Sequence, residues 1–111
     1  MAQYVKRDVL WVDFPFSDLT DSKERPAFVV NPCGGEDYLL CQITSQPYGD
    51  DNTISITPAD FHWGRLPIDL SYIRPKVLFT ANQDLILGRK GRLKSSVSAS
   101  VIQAIVAFVS G

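Results

Sequence analysis

The sequence predicts a mainly β fold, a small and strongly bent β barrel with one helix at its C-terminal end. Short apolar runs of β-prone residues alternate with turn residues along most of the chain, and a single helical pattern follows them. A length of 111 residues suits one domain, residues 1–111, and is enough to bury one core without disulfides. Short strands with turns between them and one late helix together suggest a small β barrel with the helix packed across it.

The predicted strands are runs rich in β-branched, aromatic and other apolar residues. They are Asp8–Phe14, Ala27–Asn31, Tyr38–Thr44, Thr53–Thr57, Leu70–Arg74 and Lys76–Thr80. Pro26 opens the second strand, where proline is tolerated, and Pro75 separates the last two. The turn at Pro32–Gly35 follows from its proline and glycines. Pro58–Gly64 is predicted to be irregular, and Asn82–Leu87 to hold a short helical turn.

A segment of eleven residues, Pro15–Arg25, separates the first two predicted strands. It is rich in Pro, Ser, Thr and Asp and has no apolar period, so we expect a loop. Loops of this length within a small domain are usually functional rather than mere connections.

A helix is predicted over residues 96–109, with Ser95 or Ser96 as its N-cap. Its apolar residues fall on two faces, which indicates burial on more than one side. Either the helix packs only on its own barrel, or one face also meets a second subunit. It is too short to span a bilayer. The N-terminus has no apolar signal core, so we expect no membrane association and a cytoplasmic protein.

The charge is unevenly distributed although the net charge is only -1. Residues 1–60 hold ten acidic and four basic residues, whereas residues 61–111 hold two acidic and seven basic ones. Such asymmetry is typical of a polyanion-binding face opposite an acidic one. The alternative is an ordinary protein with patchy surface charge.

Motifs for the common enzyme classes are absent from the sequence. It has no nucleophile elbow, P-loop or dinucleotide fingerprint. Two distant cysteines and one histidine do not make a zinc site, so we expect no metal and no cofactor. Cys41 lies in an apolar run and is expected in the core. His62, between two aromatic residues, is expected to be a packed or loop histidine rather than a base.

Arg25 stands where the long loop enters the second predicted strand, and its guanidinium can present several donors to a phosphate. Thr44 ends the third strand. If the two strands pair antiparallel through the turn, Arg25 lies ten residues before Gly35 and Thr44 nine after it. The guanidinium and the hydroxyl are therefore expected at the same rim of the barrel.

Several segments, in order, resemble one known family. They are WVDFP, RPAFVVN, LLCQITSQ, the stretch ADFHWGRLPIDLSYIRPKVLFT, GRKGRL and the final helix. This order resembles the MazF/PemK family of type II toxin–antitoxin toxins over about residues 7–109. The resemblance implies an SH3-like, strongly bent β barrel with a C-terminal helix, usually paired as a homodimer.

The resemblance also implies an activity and a partner. The family's members are endoribonucleases that cut single-stranded RNA, chiefly mRNA, at short sequences without a metal, leaving a 2′,3′-cyclic phosphate and a 5′-hydroxyl. A small antitoxin with an acidic tail, encoded nearby, covers the RNA groove. The chemistry suits a small barrel, since the 2′-hydroxyl of RNA is an internal nucleophile and the enzyme supplies alignment and charge stabilisation.

Residue by residue, Arg25 and Thr44 match the family's catalytic arginine and threonine. Arg74 matches a position near the RNA groove in some members. Further residues expected to contact RNA are Ser45, Gln46, Phe16 and Lys23. The general base is left open, with Glu24 and Asp18 as candidates on chemistry alone. The loop here reads FSDLTDSKE, which departs from the family's glycine-containing pattern.

Two rival hypotheses keep the barrel and change the activity. The CcdB toxins share this fold and poison DNA gyrase without cutting anything, because a fold does not fix a function. A degenerate member would bind RNA or antitoxin without cutting. The presence of both Arg25 and Thr44 favours the nuclease.

Overall fold

The computed structural model describes residues 3–14, 23–47, 49 and 52–111, in which one antiparallel sheet and one α-helix form the fold. The described strands are β1 (Asp8–Phe14), β2 (Lys23–Pro32), β3 (Asp37–Thr44), β4 (Ile54–Ile56), β5 (Phe61–Gly64), β6 (Ser71–Asn82) and β7 (Ile86–Leu93). The helix α1 spans Ser95–Ser110. The strand order is β4-β6-β3-β2-β1-β7-β5. The predicted class, a bent β barrel with a C-terminal helix, is confirmed.

The curl of the sheet follows from the position of its two edge strands. β4 and β5 stand at opposite ends of the strand order, yet only residues 57–60 separate them along the chain. A 3-10 turn over Pro58–Asp60 makes this link, and the Asp60 carboxylate accepts a hydrogen bond of 2.8 Å from the Thr57 amide. A link this short holds the two edges near each other, so the sheet bends into a barrel.

Side chains on both faces of the central strands are buried. One cluster, which includes Val9, Phe28 and Ile43, packs against Val101 and Ile105 of α1. The second cluster, on the other face, consists of buried residues that alternate with the first along the strands; it contains Leu10, Val12, Phe14, Ala27, Val29, Tyr38 and Leu40. This double burial is why the strands read as nearly continuous apolar runs.

Cys41 belongs to the first cluster and is fully buried, as predicted. Its thiol donates a hydrogen bond of 2.9 Å to the Arg74 carbonyl. Burial raises the pKa of the Cys41 thiol to about 12, so the thiol stays protonated at neutral pH. Cys41 is therefore a small core residue.

The structure corrects several predicted boundaries. β2 begins at Lys23, so residues 23–25, predicted as loop, belong to a strand, and Pro26 lies inside that strand, opposite Trp11. β5 and β7 were not predicted, and β6 runs through Pro75 because a register shift between its two halves accommodates the proline.

The helix start also differs from the prediction. Lys94 is the N-cap residue of α1 and makes no side-chain cap, so neither Ser95 nor Ser96 caps the helix. Both serines lie in the first turn. Among the described residues, no helix is long and apolar enough to cross a membrane.

β5 and β7 cross closely at two glycines that face each other, Gly64 and Gly91. Gly64 has a φ of +75°, and a Cβ there would collide with the Lys90 carbonyl. A Cβ at Gly91 would lie 2.6 Å from the Trp63 carbonyl oxygen. Only glycine allows this approach, and the Arg65 amide consequently donates to the Lys90 carbonyl at 3.2 Å.

A buried carboxylate ties the N-terminal segment to β7. Asp8 is 0% exposed and accepts hydrogen bonds from Nε of Arg89 at 2.9 Å and Nε of Arg92 at 2.7 Å. The Val5 amide donates a third bond at 3.0 Å. We call Asp8, Arg89 and Arg92 the Asp8 cluster. Its carboxylate is satisfied on both oxygens, as a buried charge requires.

Candidate functional site

The sheet splits between β2 and β3 at one end of the barrel. Pairing of these strands extends from Pro32 and Tyr38 to Ala27 and Gln42, where it stops. Beyond that point the start of β2 pairs only with β1, and the end of β3 pairs only with β6. Pro26 stands at the split and has no N–H to donate to a ladder, so it favours the separation. We call this opening the fork.

A pocket of about 90 Å³ lies in the fork. One arm contributes Glu24, Arg25 and Pro26, and the other arm contributes Ile43, Thr44 and Ser45. The remaining lining residues come from β1 and from the segment before and into β6; they are Trp11, Leu66, Pro67, Ile68 and Ser71. The fork pocket has room for several water molecules, and therefore for a small anionic group.

The register places Arg25 and Thr44 across the fork from each other. Ala27 pairs with Gln42, so continuing the ladder by two residues on each strand would set Arg25 opposite Thr44. Because side chains alternate along strands, both belong to the same face of the sheet. The fork pocket therefore brings together the two residues that match the family's catalytic arginine and threonine, and their catalytic roles stay predictions.

The two groups differ in their hydrogen bonds. Arg25 is half-buried, and among the described residues no hydrogen bond or ion pair engages its guanidinium. Thr44 is 5% exposed, and its Oγ1 accepts a hydrogen bond of 3.1 Å from the Gln46 amide. That bond fixes the oxygen and leaves the hydroxyl hydrogen to be donated. The fork thus offers a guanidinium and a fixed hydroxyl donor to an anion.

Glu24 is exposed and lines the same pocket from the opposite face of β2. Its Oε1 accepts a hydrogen bond of 2.8 Å from the indole Nε1 of Trp11, which lies diagonally across the β1–β2 pair. The bond orients the carboxylate and leaves its second oxygen to accept a proton. Glu24 is therefore held in place as a candidate base.

The remaining predicted RNA contacts lie at or beside the fork. Ser45 lines the pocket, and Gln46 is exposed just beyond it. Arg74 does not line the pocket; its Nη1 donates to Oε1 of Gln42 at 2.9 Å, two residues before Thr44 on the same face. The structure therefore places Arg74 beside the site rather than in it.

Three predicted site residues are only partly covered or not covered by the structure. Phe16 and Asp18 lie outside the described residues. Lys23 begins β2, and its side chain is outside the description. Their proposed contacts with RNA, and the proposed role of Asp18 as a base, stay predictions.

The sequence did not predict that Trp11, Leu66 and Pro67 form one wall of the fork pocket. Trp11 reads as an ordinary strand residue, and Leu66 and Pro67 lie in a stretch without an obvious pattern. The Trp11 indole supplies the one available signal, because a half-buried indole N–H in a strand needs an acceptor. Among the described residues, no group of three or more His, Cys, Asp or Glu side chains comes together as a metal site.

A family model described as PemK-like, MazF-like toxin of type II toxin–antitoxin system matches residues 6–109. This match covers almost the whole chain, including both arms of the fork. No curated protein matches the sequence.

Solved structures share the fold at low sequence identity. An endoribonuclease in complex with its cognate antitoxin from a Mycobacterial species superposes with a TM-score of 0.75 at 13% identity, covering 96% of this chain and 95% of that one. A MazE–MazF complex from Deinococcus radiodurans gives 0.75 at 17% identity, covering 96% of each chain. The Mycobacterium tuberculosis toxin MazF-mt6 gives 0.73 at 15% identity, covering 94% and 97%.

Proposed function

Because the chain belongs to the PemK-like, MazF-like toxins of type II toxin–antitoxin systems, we propose that it is an endoribonuclease that cuts single-stranded RNA, chiefly mRNA, in the fork pocket. The observation that carries this proposal is that one opening in the sheet holds a fixed hydroxyl and a guanidinium that no other described residue engages. Solved proteins with this fold are named as endoribonucleases, which supports the same activity.

The reaction needs no nucleophile from the protein. The ribose 2′-oxygen attacks the adjacent phosphorus, the bond to the 5′-oxygen breaks, and the products are a 2′,3′-cyclic phosphate and a 5′-hydroxyl. The proton lost by the 2′-hydroxyl passes to a base, and the leaving 5′-oxygen takes up another. The protein therefore has to align the ribose, stabilise negative charge and handle two protons.

The fork residues fit these tasks. Arg25 binds the phosphoryl oxygens, where negative charge increases as the 2′-oxygen adds to phosphorus. The Thr44 hydroxyl donates a hydrogen bond to the phosphate, and the Ser45 hydroxyl beside it donates another. The free oxygen of Glu24, oriented by Trp11, accepts the 2′-hydroxyl proton. For the leaving 5′-oxygen, Arg25 and water are the two proton sources. No step in this mechanism calls for a metal ion.

We extend the proposal to the partners. α1 leaves Val106, Phe108 and Val109 exposed near its C-terminal end, an apolar surface suited to a second copy of the chain. Solved proteins of this fold are complexed with a cognate antitoxin, and an acidic antitoxin tail complements Arg25 at the fork. The protein thus acts in the cytoplasm as a homodimer whose activity a small neighbouring gene product restrains.

The test compares wild type with Arg25→Ala, and with Lys94→Ala as an exposed cation that does not line the fork pocket. Expression of wild type and Lys94→Ala is expected to arrest growth, and the purified proteins to cut RNA in EDTA, leaving 5′-hydroxyl ends. Arg25→Ala is expected to do neither. An RNA with a 2′-deoxy nucleotide at the cleaved position should stay intact, since it lacks the attacking oxygen.

Other outcomes identify the rivals. Growth arrest by both wild type and Arg25→Ala, without RNA cleavage, rejects the nuclease and favours a gyrase-type target. Cleavage of the 2′-deoxy RNA rejects the internal attack in favour of water as the nucleophile.

A further inference from the structure

A wide groove adjoins the fork pocket on the β7 side of the barrel. It measures about 470 Å³ and is lined by Trp11, Arg65, Leu66, Pro67 and Lys90, which we call the side groove. Trp11, Leu66 and Pro67 line both the fork pocket and the side groove. The two spaces therefore share one wall, and the volume of the side groove lies within the range of roughly 300–1,000 Å³ typical of small-ligand sites.

The floor of the side groove is apolar, and its rim carries two cations. Nζ of Lys90 lies 5.8 Å from the centroid of the Trp11 ring. The backbone bond between the Arg65 amide and the Lys90 carbonyl, set by the glycine crossing of β5 and β7, keeps the two residues adjacent. An aromatic and proline floor beside paired cations matches a nucleotide, which has a flat base and an anionic phosphate.

Arg65 is held only by weak contacts that a phosphate can replace. Its Nη2 lies 2.6 Å from Oδ1 of Asp69, and the two side chains are 54% and 88% exposed. Ion pairs this exposed contribute little stability and are screened by salt. The Nε atom donates to the Leu66 carbonyl at 3.1 Å, so Nη1, together with Nη2 once Asp69 is displaced, can bind an anion.

We propose that the side groove binds the nucleotide next to the one cleaved in the fork, an inference that rests on the proposed function. Lys90 and Arg65 bind its phosphate, and its base lies against Trp11, Leu66 and Pro67. A base bound against Trp11 also affects the cleavage site, because the Trp11 indole donates a hydrogen bond to the carboxylate of Glu24, the proposed base. The side groove therefore contributes to the choice of RNA sequence as well as to affinity.

The binding test uses an RNA that wild type cuts, copied with 2′-O-methyl groups so that it cannot be cleaved. In a Trp63→Phe background, Trp11 is the sole tryptophan, and base contact is expected to quench its fluorescence. Lys90→Ala and Arg65→Ala should each weaken binding about tenfold. Each should also reduce the salt dependence by about 0.7 in log–log slope. Asp69→Asn, which frees Arg65, should strengthen binding, and Lys94→Ala should leave it unchanged.

The cleavage test separates binding from chemistry. In single-turnover reactions, Lys90→Ala and Arg65→Ala should raise the RNA concentration needed for half-maximal rate and keep the maximal rate, whereas Arg25→Ala should lower the maximal rate. Trp11→Phe keeps an aromatic floor and removes the hydrogen bond to Glu24. It should lower the maximal rate and still bind the 2′-O-methyl RNA.

The possible failures can be told apart. Wild type that cuts no RNA overturns the proposed function and this inference together. Wild type that cuts, with Lys90→Ala and Arg65→Ala indistinguishable from Lys94→Ala, overturns the side groove alone. Quenching of Trp11 by an oligoglutamate peptide but not by the 2′-O-methyl RNA also overturns it and assigns the groove to an acidic protein segment.

Discussion

In the Asp8 cluster two guanidiniums share one buried carboxylate, whereas at the fork Arg25 has no ion-pair partner among the described residues. The two regions also differ in strand pairing. Asp8 sits in a β1–β7 ladder and pairs directly with Arg92, while Arg25 lies where the β2–β3 ladder has ended. The comparison teaches that Arg89 and Arg92, within a continuous ladder, are paired with a neighbouring carboxylate, whereas the end of a ladder leaves Arg25 available to a ligand.

Removing the shared carboxylate tests the structural side of this comparison and has the largest expected effect. Asp8→Ala leaves two guanidiniums without their partner and the Val5 amide without its acceptor. We expect a loss of about 2–4 kcal/mol in the free energy of unfolding, below the roughly 3–5 kcal/mol of a fully buried pair because the arginines are 30% and 29% exposed.

Urea denaturation measures this loss, with Asp69→Ala as the control. Asp69 pairs with Arg65 at a similar distance but on the surface, so its removal should change stability by less than about 1 kcal/mol. Equal effects of the two substitutions would contradict a special role for burial at Asp8.

At the fork, the hydroxyl can be removed without changing the shape of the side chain. Thr44→Val deletes the donor to the phosphate and the acceptor for the Gln46 amide, and we expect the cleavage rate to fall about 10- to 100-fold, or about 1.4–2.7 kcal/mol. Thr44→Ser keeps the hydroxyl and should retain most of the rate. Single-turnover cleavage measures both, and a Thr44→Ser enzyme as slow as Thr44→Val would argue against the hydroxyl.

Arg74 is the intermediate case and has the smallest expected effect. It shares the face of Arg25 but is engaged by Gln42, outside the pocket. Arg74→Ala should weaken RNA binding by less than about tenfold and reduce the salt slope by about 0.7, with the maximal cleavage rate unchanged. Titration at several salt concentrations measures this, and a large fall in maximal rate would place Arg74 among the catalytic groups.

Much of the fold was predictable because burial leaves its mark on the sequence. β1, β3 and α1 carry long apolar patterns that match their observed bounds to within a residue or two. β5 and β7 carry little such pattern. FHWG is mostly exposed and GRKG has two glycines, and their strand geometry depends on pairing, of β5 with β7 and of β7 with both β1 and β5. Local composition cannot reveal stability that comes from a distant partner.

Part of the geometry of the candidate site was also predictable. The distance of Arg25 and Thr44 from the hairpin turn is a local count, and it predicts their meeting at one rim. The fork depends on where a ladder stops, and the side groove depends on Arg65 meeting Lys90, 25 positions further along the chain. Neither the fork nor the side groove can be predicted from the sequence until the pairing of all the strands is known.

The glycine crossing of β5 and β7 fixes the spacing of the two cations that line the side groove. Gly64 and Gly91 fix the separation of the backbones that carry Arg65 and Lys90. The distance between the two positions is therefore set by the strand pairing and not by the side chains. Side chains at positions 65 and 90 point outward and can be exchanged at little cost to folding. If the side groove binds RNA as proposed, changes at these two positions would alter RNA preference without disturbing the fold, whereas a methyl group added at either glycine would force the two strands apart.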